Sequence, residues 1–276
     1  MGVWQSFWLG VLQGVTEFLP ISSSGHLVLG KALLGVHTQG VAFEVFVHFG
    51  TFLAVVTVFW SDVYQMLLAA GRALVRPLPG HWSKLYKQDR FFRLLVLILV
   101  GSIPAGVVGI LFEDSIENAF SSPLFVSFML IVTGVILLGT RWVHGQDREF
   151  GAVRGFLIGV AQSLAILPGI SRSGSTIATG MYLNVERSEA ARFSFLLALP
   201  AIFGAAVLKS VELARTGISH HEELVLAVGA VTAYVAGVVA LKWLLGVIRR
   251  GRLDRFAYYC FAVGVLGILF FGFHVL

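Results

Sequence analysis

Long apolar segments recur along this chain, and they constrain its fold more than any other sequence feature. Of its 276 residues, 57% are hydrophobic and only 13% are charged, and the mean hydropathy is +0.86. A helix that crosses a bilayer needs roughly 20 predominantly apolar residues, so the chain is long enough for several such helices. We therefore expect an all-α integral membrane protein. Its net charge of +5 bears on membrane topology and does not indicate a nucleic-acid partner.

Two of the apolar segments are interrupted by polar residues. They are residues 3–36, which break around Pro20, and residues 155–183, which break at residues 171–176. Non-helical backbone is tolerated at membrane depth only where it is buried in protein or lines a cavity. We predict a re-entrant helical hairpin at each break and six transmembrane helices, at about residues 41–60, 91–112, 123–140, 191–208, 224–248 and 256–276.

The two interrupted segments resemble each other, which predicts an internal duplication. At a constant offset of 149 residues, seven of sixteen positions are identical between residues 10–25 and 159–174. Three spans separate the hairpins, so the second half is inverted relative to the first. The prediction is one membrane domain, residues 1–276, whose halves are about 1–140 and 141–276 and whose hairpin tips meet near the midplane.

Loop charges support this topology through the positive-inside rule. Loops rich in basic residues alternate with loops that are not, as expected if each hairpin returns to its own side. The basic loops are residues 61–90, 141–154 and 249–255. Both termini then lie outside the cytoplasm, and the first hairpin enters from the outer face.

The first break carries the groups best suited to chemistry. Gln13 and Glu17 are four residues apart and share one helix face. A carboxylate in a membrane segment usually faces a cavity, a partner or an ion; the alternative for Glu17 is an interfacial position near a helix end. Serine is an ordinary N-cap residue. A hydroxyl one turn from an imidazole, as in Ser23 and His26, is also the minimal activated nucleophile.

The second break carries a cation at the corresponding place. Arg172 takes the position of Ser23, and Ile166 takes that of Glu17. A guanidinium in a membrane is costly unless paired, and its planar fork suits phosphate. Two half-helix N-termini would add N–H donors. The pattern predicts an anion site, unless Arg172 serves only to pair with Glu17 and hold the hairpins together.

Other polar residues leave alternatives open or exclude some reactions. Glu44 and His48 form another i,i+4 pair, which either lines the same cavity or lies near the outer interface. Cys260 is the only cysteine, and the absence of Arg six residues after it excludes a cysteine phosphatase. The type-2 phosphatidate phosphatase pattern fails because Ala178 stands where a histidine is needed. An anion site, a carboxylate able to bind a metal and a Ser/His pair favour phosphoryl-group hydrolysis.

These motifs resemble the undecaprenyl-diphosphate phosphatase family, which is associated with bacitracin resistance in bacteria. The family pattern Glu/Gln-x-x-x-Glu, followed by a serine-rich loop ending in Gly-His, is similar to residues 13–26. The second pattern, Pro-Gly-x-Ser-Arg-Ser-x-x-Thr, is similar to residues 168–176. Gln13 replaces an acidic residue, which removes one charge from any metal site.

The resemblance implies hydrolysis of undecaprenyl diphosphate to the monophosphate and phosphate in the bacterial cell membrane, which recycles a lipid carrier for cell-wall synthesis. It implies a divalent cation, Mg²⁺ or Ca²⁺, associated with Glu17. It implies catalytic roles for Glu17, Ser23, His26 and Arg172, of which Arg172 clamps the diphosphate. Either Ser23 or His26 is the nucleophile, and hydroxyl attack with imidazole as base is preferred. The implied substrate-binding residues are Gln13, Ser22, Ser24, Gly25, Gly169, Ser171, Ser173 and Thr176.

Two other functions remain open from the residues alone. Inverted repeats with broken helices are typical of secondary transporters, and a transporter or lipid flippase would bind an anion without activating a nucleophile. An anion channel built from opposed re-entrant loops would need no residue like Glu17. For the phosphatase we expect a lipid substrate, surrounding membrane lipids, a cavity open to the outer face and either a monomer or a homodimer.

Overall fold

The computed structural model describes residues 1–35, 42–75, 80–143, 150–217 and 219–273, and within these ranges the regular structure is entirely helical. In chain order the α-helices are α1 (Val3–Phe18), α2 (Ser23–Leu33), α3 (Ala42–Val58), α4 (Trp60–Val75), α5 (His81–Gln88), α6 (Arg90–Leu111), α7 (Glu113–Phe120), α8 (Pro123–Gly139), α9 (Ala152–Leu164), α10 (Arg172–Tyr182), α11 (Arg187–Leu197), α12 (Leu199–Thr216), α13 (His220–Arg249) and α14 (Arg255–Phe273). A 3-10 turn, Thr140–Trp142, extends α8. The predicted residues 36, 41 and 274–276, and parts of the loops 61–90 and 141–154, lie outside the described ranges.

Several of these helices are long and apolar enough to cross a membrane. There are five such stretches in the described chain, or six if α3 and α4 are counted as one span bent by 85°. The five are Arg90–Leu111, Pro123–Trp142, Arg187–Arg215, His220–Arg249 and Arg255–Phe273. They agree with the predicted segments from 91–112 onward. The predicted span at 41–60 corresponds to α3, which passes as a span only together with α4, across the 85° bend. The helix α4 itself lies where the sequence predicts the loop 61–90.

A break separates two short helices in each of the two segments. The first lies around Pro20, as predicted, but the second lies at residues 165–171; the predicted position, 171–176, is wrong because Ser171 caps α10 and the polar residues after it form the first turn of that helix. In the first, α1 ends before Pro20, which cannot donate a backbone hydrogen bond to continue the helix. Ser22 then caps α2 by accepting a hydrogen bond from Gly25 N over 3.2 Å. In the second break Gly169 has φ +94°, which a residue with a side chain rarely adopts. Ser171 caps α10 by accepting from Gly174 N over 3.0 Å.

Close backbone contacts, which only glycine permits, fix the first helix of each pair. A Cβ on Gly10 would lie 2.5 Å from the carbonyl oxygen of Gly229, so α1 packs directly against α13. A Cβ on Gly159, the repeat equivalent of Gly10, would overlap the carbonyl oxygen of Gly101, so α9 packs in the same way against α6. Equivalent positions of the two segments therefore make equivalent helix contacts.

The two breaks meet each other directly. A Cβ on Gly25 would be 3.1 Å from Cα of Gly169, and a Cβ on Gly174 would be 3.2 Å from Cβ of Pro20. These are again equivalent pairs, because Gly25 and Gly174, like Pro20 and Gly169, are 149 residues apart. The Ser173 hydroxyl also donates to the Leu19 carbonyl over 3.2 Å. The polar loops of both segments thus form one compact centre.

Each half of the chain also contributes one helix that contacts the loop of the other half: α8 contacts the second loop, and α14 contacts the first. The Thr133 hydroxyl on α8 donates to the Gly169 carbonyl over 2.8 Å and accepts from Ser171 N over 3.0 Å. On α14, the Cys260 thiol contacts the Pro20 carbonyl at 3.8 Å. The carbonyls that would be left unpaired by the helix breaks thereby obtain partners, as buried backbone groups require.

Candidate active site

Glu17 is the centre of the polar cluster and is only 6% exposed. Its Oε2 accepts hydrogen bonds from Gln13 Nε2 over 2.8 Å and from the Ser23 hydroxyl over 2.5 Å. Its Oε1 forms an ion pair with Arg172. Three of the four residues come from the first segment, and Arg172 comes from the second. The structure therefore brings the Glu17 carboxylate, the Ser23 hydroxyl and the Arg172 guanidinium together.

Arg172 is the first residue of α10, so its charge lies at a helix N-terminus. One guanidinium nitrogen bonds Glu17, and another donates to the Ser194 carbonyl over 3.3 Å. Its side chain is 18% exposed, whereas that of Glu17 is 5% exposed. A guanidinium that retains some access while its partner is buried can exchange that partner for an incoming anion. Pairing the hairpins and binding a substrate are thus compatible roles.

Ser23 and His26 are not joined by a hydrogen bond, contrary to the preferred hydroxyl–imidazole pairing. The His26 ring has Nδ1 2.8 Å from the Ser22 carbonyl oxygen and Nε2 2.9 Å from the Tyr259 hydroxyl. A carbonyl only accepts, so Nδ1 carries a proton, and in the neutral ring Nε2 accepts from Tyr259. Both nitrogens are committed, and the group that accepts from Ser23 is Glu17. His26 acts in this structure as a positioning residue for the loop.

His48 belongs to the site, and Glu44 does not touch Glu17. The Nε2 atom of His48 lies 3.5 Å from Oε2 of Glu17, and its Nδ1 lies 2.7 Å from the Glu44 carbonyl oxygen. The Glu44 carboxylate instead pairs with Lys31 and so connects α3 to α2. His48 therefore lies beside the carboxylate of the Glu17 cluster, whereas Glu44 does not.

Four of the predicted substrate-binding residues lie where the two breaks meet: Ser22, Ser24 and Gly25 in the first loop and Gly169 in the second. Ser22 caps α2, and its φ of +69° is unusual for a residue with a side chain. Gly25 and Gly169 pack against each other at the contact between the breaks. Ser24 is partly buried, and its hydroxyl lies 3.3 Å from that of Ser22.

The predicted residues of the second loop are also used within the protein. Ser171 caps α10, and its hydroxyl lies 3.4 Å from that of Ser173. Thr176 is fully buried, donates to the Arg172 carbonyl over 2.7 Å and lies 2.5 Å from the Ser194 hydroxyl. Their side chains shape the cradle around Arg172. What this loop offers to a ligand is the guanidinium and the first-turn N–H groups of α10.

Two participants were absent from the residues singled out in the sequence. Tyr259 on α14 stacks on His26 with ring centroids 5.6 Å apart, and Ser194 on α11 holds Arg172 and Thr176. Tyr259 is 233 residues from His26 along the chain, and no local pattern connects them. Only the packing of α14 and α11 against the breaks shows their roles.

A divalent cation would have a small set of protein donors here. No group of three or more His, Cys, Asp or Glu residues with metal-site geometry occurs among the residues that the structure describes. Glu17 is nevertheless close to His48, and Gln13 Oε1 is buried without a hydrogen-bond partner. A buried amide oxygen without a donor is unfavourable. One carboxylate and one amide oxygen fit a hard cation such as Mg²⁺ or Ca²⁺, which completes its shell with water and substrate phosphates; the imidazole of His48 is not a ligand that such a cation prefers.

Comparisons with known proteins identify the family of this chain. The family described as bacitracin resistance protein BacA matches residues 6–266. An undecaprenyl-diphosphatase of Salinibacter ruber is 48% identical over 269 residues, which are 96% of this chain and 98% of the relative. Undecaprenyl-diphosphatases of Halothermothrix orenii and Desulforapulum autotrophicum are each 42% identical, over 99% and 98% of both chains respectively. The match includes both breaks and every residue of the Glu17 cluster, and the chain belongs to the bacitracin resistance protein BacA family.

Proposed function

We propose that this protein is a membrane phosphatase that hydrolyses undecaprenyl diphosphate to undecaprenyl phosphate and inorganic phosphate. The relatives carry the name of this activity and cover nearly the whole chain. The single observation that carries the proposal is the Ser23 hydroxyl 2.5 Å from the buried carboxylate of Glu17, beside Arg172. The reaction recycles the lipid carrier for cell-wall synthesis, and faster recycling confers resistance to bacitracin.

The reaction begins when the diphosphate replaces Glu17 as the ion-pair partner of Arg172. The guanidinium and the N–H groups at the N-termini of α2 and α10 bind its oxygens, because helix N-termini and Arg both favour anions. This releases Glu17 Oε1 from its ion pair and makes the carboxylate more basic. Binding of the substrate therefore activates the base that the reaction needs.

Phosphoryl transfer then uses Ser23 as nucleophile. Its oxygen attacks the terminal phosphorus, its proton passes to Glu17, and the bond from that phosphorus to the bridging oxygen breaks. Undecaprenyl phosphate leaves, and the phosphoryl group remains on Ser23. Glu17 passes the proton that it took from Ser23 to the departing undecaprenyl phosphate and is again a carboxylate. In the second step it deprotonates a water molecule, whose oxygen attacks the phosphoserine phosphorus; the bond from that phosphorus to the Ser23 oxygen breaks, the Ser23 oxygen regains a proton from Glu17, and inorganic phosphate leaves. Arg172 offsets the negative charge that the transferring group spreads over its oxygens.

A divalent cation, Mg²⁺ or Ca²⁺, is part of the proposal. Glu17 and Gln13 Oε1 are the protein groups that would hold it, and its contribution would be to neutralise phosphate charge. Gln13 has a second function that does not depend on the ion. Its Nε2 donates to Glu17 Oε2 over 2.8 Å and keeps the carboxylate directed toward Ser23.

The proposed architecture is six transmembrane helices plus two re-entrant hairpins, α1–α2 and α9–α10, in an inverted repeat. The equivalent glycine contacts of Gly10 and Gly159 support the repeat. The contact between the two breaks supports hairpin tips that meet inside the membrane. We place the protein in the bacterial cell membrane, as a monomer or homodimer, with the site open to the outer face.

Phosphate release from undecaprenyl diphosphate by the purified protein tests the proposal. Ser23→Ala should lower kcat at least about a hundredfold, since it removes the nucleophile. Ser24→Ala is the matched control, because the Ser24 hydroxyl lies beside that of Ser22 and not on Glu17, and it should stay within about tenfold of wild type. A chelator should abolish release. Phosphate release that survives in Ser23→Ala would refute Ser23 as nucleophile.

The comparisons do not favour the transporter or flippase, and the geometry agrees. A transporter has to bind an anion but does not need an activated nucleophile such as the Ser23 hydroxyl, which lies 2.5 Å from the buried Glu17 carboxylate. If well-folded protein releases no phosphate, a lipid-flipping assay in vesicles becomes the next measurement.

A further inference from the structure

A concave region lies on a side of α1 away from Glu17. A groove of about 920 Å³ is lined by residues of α1, α13 and α14 and by the turn between the last two helices. A neighbouring apolar groove of about 750 Å³ continues along α1 and α13. The two share Val15, Leu19 and Trp243. Together they form a continuous channel, the α1–α13 groove, of the kind that a hydrocarbon chain fills.

One end of the α1–α13 groove is strongly basic. Arg250, Arg252 and Arg255 line it, and all three are exposed. None of the three side chains has a hydrogen bond or ion pair in the described part of the protein, and Asp254 between them pairs with none of them. Three like charges held together without a counter-ion favour an anion from outside the protein.

Two further groups strengthen this end of the groove. The guanidinium of Arg187 lies against Gly251 in the same turn, where a Cβ would be 2.9 Å from its Cζ. The Nε atom of Arg187 is buried without a hydrogen-bond partner. Trp243, 56% exposed, lines the groove nearby, and tryptophan is enriched at the headgroup level of membranes. A headgroup-depth anion site beside an apolar channel has the two chemistries of a lipid.

We propose that the α1–α13 groove binds one anionic phospholipid. Its phosphate lies on Arg250, Arg252 and Arg255, and one acyl chain lies in the apolar channel. The charge complementarity favours an anionic headgroup over a zwitterionic one. The site is distinct from the catalytic one, since the groove-lining residues Leu12, Val15 and Leu19 lie on a different face of α1 from Gln13 and Glu17.

The lipid would also contact the catalytic loop through one side chain. Tyr259 lines the groove, and its hydroxyl lies 2.9 Å from Nε2 of His26. A chain packed on Tyr259 restricts that ring, and with it the His26 ring that holds the Ser22 carbonyl. Anionic lipid should therefore raise activity. This consequence rests on the proposed phosphatase function, whereas lipid binding does not.

Lipid retention tests the binding site without using activity. The protein is reconstituted into phosphatidylcholine vesicles with and without phosphatidylglycerol, extracted into detergent and analysed by native mass spectrometry. The variant Arg250→Gln/Arg252→Gln/Arg255→Gln should retain phosphatidylglycerol roughly a hundredfold less than wild type. Arg249→Gln, on an exposed neighbour outside the groove, is the matched charge control and should retain it normally.

A second variant tests lipid retention without changing the charge of the groove. Val15→Phe fills the channel shared by both grooves and should also reduce retention. Equal phosphatidylglycerol retention in wild type and the triple variant would overturn the proposal, as would retention of phosphatidylcholine to the same extent.

The effect on catalysis has a separate measurement. Phosphatidylglycerol should stimulate phosphate release several-fold in wild type. Tyr259→Phe, which removes the hydroxyl but keeps the ring, should retain the lipid and lose the stimulation. Undiminished stimulation in Tyr259→Phe would overturn the coupling and leave the binding site intact, and failure of phosphatase activity itself would not affect the retention result.

Discussion

Replacing one partner of the Glu17–Arg172 ion pair should damage stability and activity, and replacing both should restore only stability. Arg172→Gln leaves a carboxylate that is 5% exposed without its cation. Removing one member of a buried pair costs about 3–5 kcal/mol, chiefly because the remaining charge is buried and uncompensated. Glu17→Gln should cost less, since Arg172 is 18% exposed and keeps its bond to the Ser194 carbonyl.

The double variant Glu17→Gln/Arg172→Gln contains no buried charge in this cluster. Its loss of unfolding free energy should therefore be smaller than the sum of the two single losses, by about 2–3 kcal/mol. Equilibrium denaturation in mixed detergent–SDS micelles measures all four proteins. Phosphate release should remain lost in the double variant, because neither base nor phosphate clamp returns.

An exposed ion pair provides the control for this cycle. Arg90 and Glu189 are joined at 2.7 Å, but their side chains are 63% and 42% exposed. Arg90→Gln should change the unfolding free energy by less than about 1 kcal/mol. Strictly additive losses at Glu17 and Arg172 would refute mutual charge compensation within the buried pair, and recovery of activity in the double variant would refute their catalytic roles.

Three further changes test other parts of the structure. Gly159→Ala should lower the unfolding free energy by about 1–3 kcal/mol, because its Cβ would meet backbone of α6, whereas Gly106→Ala, with open space around it, should be neutral or mildly stabilising in the same denaturation assay. Thr133→Val should cost about 1–3 kcal/mol for each of the two buried backbone groups that it leaves unpaired, and a loss below about 0.5 kcal/mol would contradict this. Partial burial raises the pKa of Glu186, but hydrogen bonds from Ser188 and from the Glu189 N–H outweigh it and hold that pKa below its ordinary value. The stabilisation is thus present above the ordinary pKa of a glutamate and lost as pH falls through the lowered one, so a pH series of melting temperatures should show wild type and Glu186→Gln converging in acid.

The sequence predicts that both α1–α2 and α9–α10 are broken, because the causes are local, but it places the second break at 171–176, where α10 begins. Pro20 and Gly169 interrupt the helices, and Ser22 and Ser171 start the next ones. The long apolar runs likewise indicate α6, α8 and the helices from α11 onward. The sequence predicts a loop after residue 60 where α4 begins, and residues 55–64 contain neither proline nor glycine to mark the bend between α3 and α4.

The pairing of side chains at the site depends on contacts that sequence spacing does not determine. Spacing places Ser23 and His26 about one turn apart and favours a bond between them. In the structure Ser22 is the cap, and the His26 ring turns back to the Ser22 carbonyl and stacks on Tyr259 of α14. Ser23 is then free to reach Glu17, six residues earlier across the break. Such a pairing follows from the tertiary arrangement of the loop.

The contact between the two breaks has a consequence for alternating access. Gly25 lies against Gly169 with no side chain between them, and the Ser22 hydroxyl donates to the Ile170 carbonyl over 3.4 Å. A protein that opens to each side of the membrane in turn must slide its two halves past each other at the centre. Here such sliding would break backbone-level contacts and the Glu17–Arg172 pair in the same movement. The contacts at the centre therefore oppose a rocking movement of the two halves past each other.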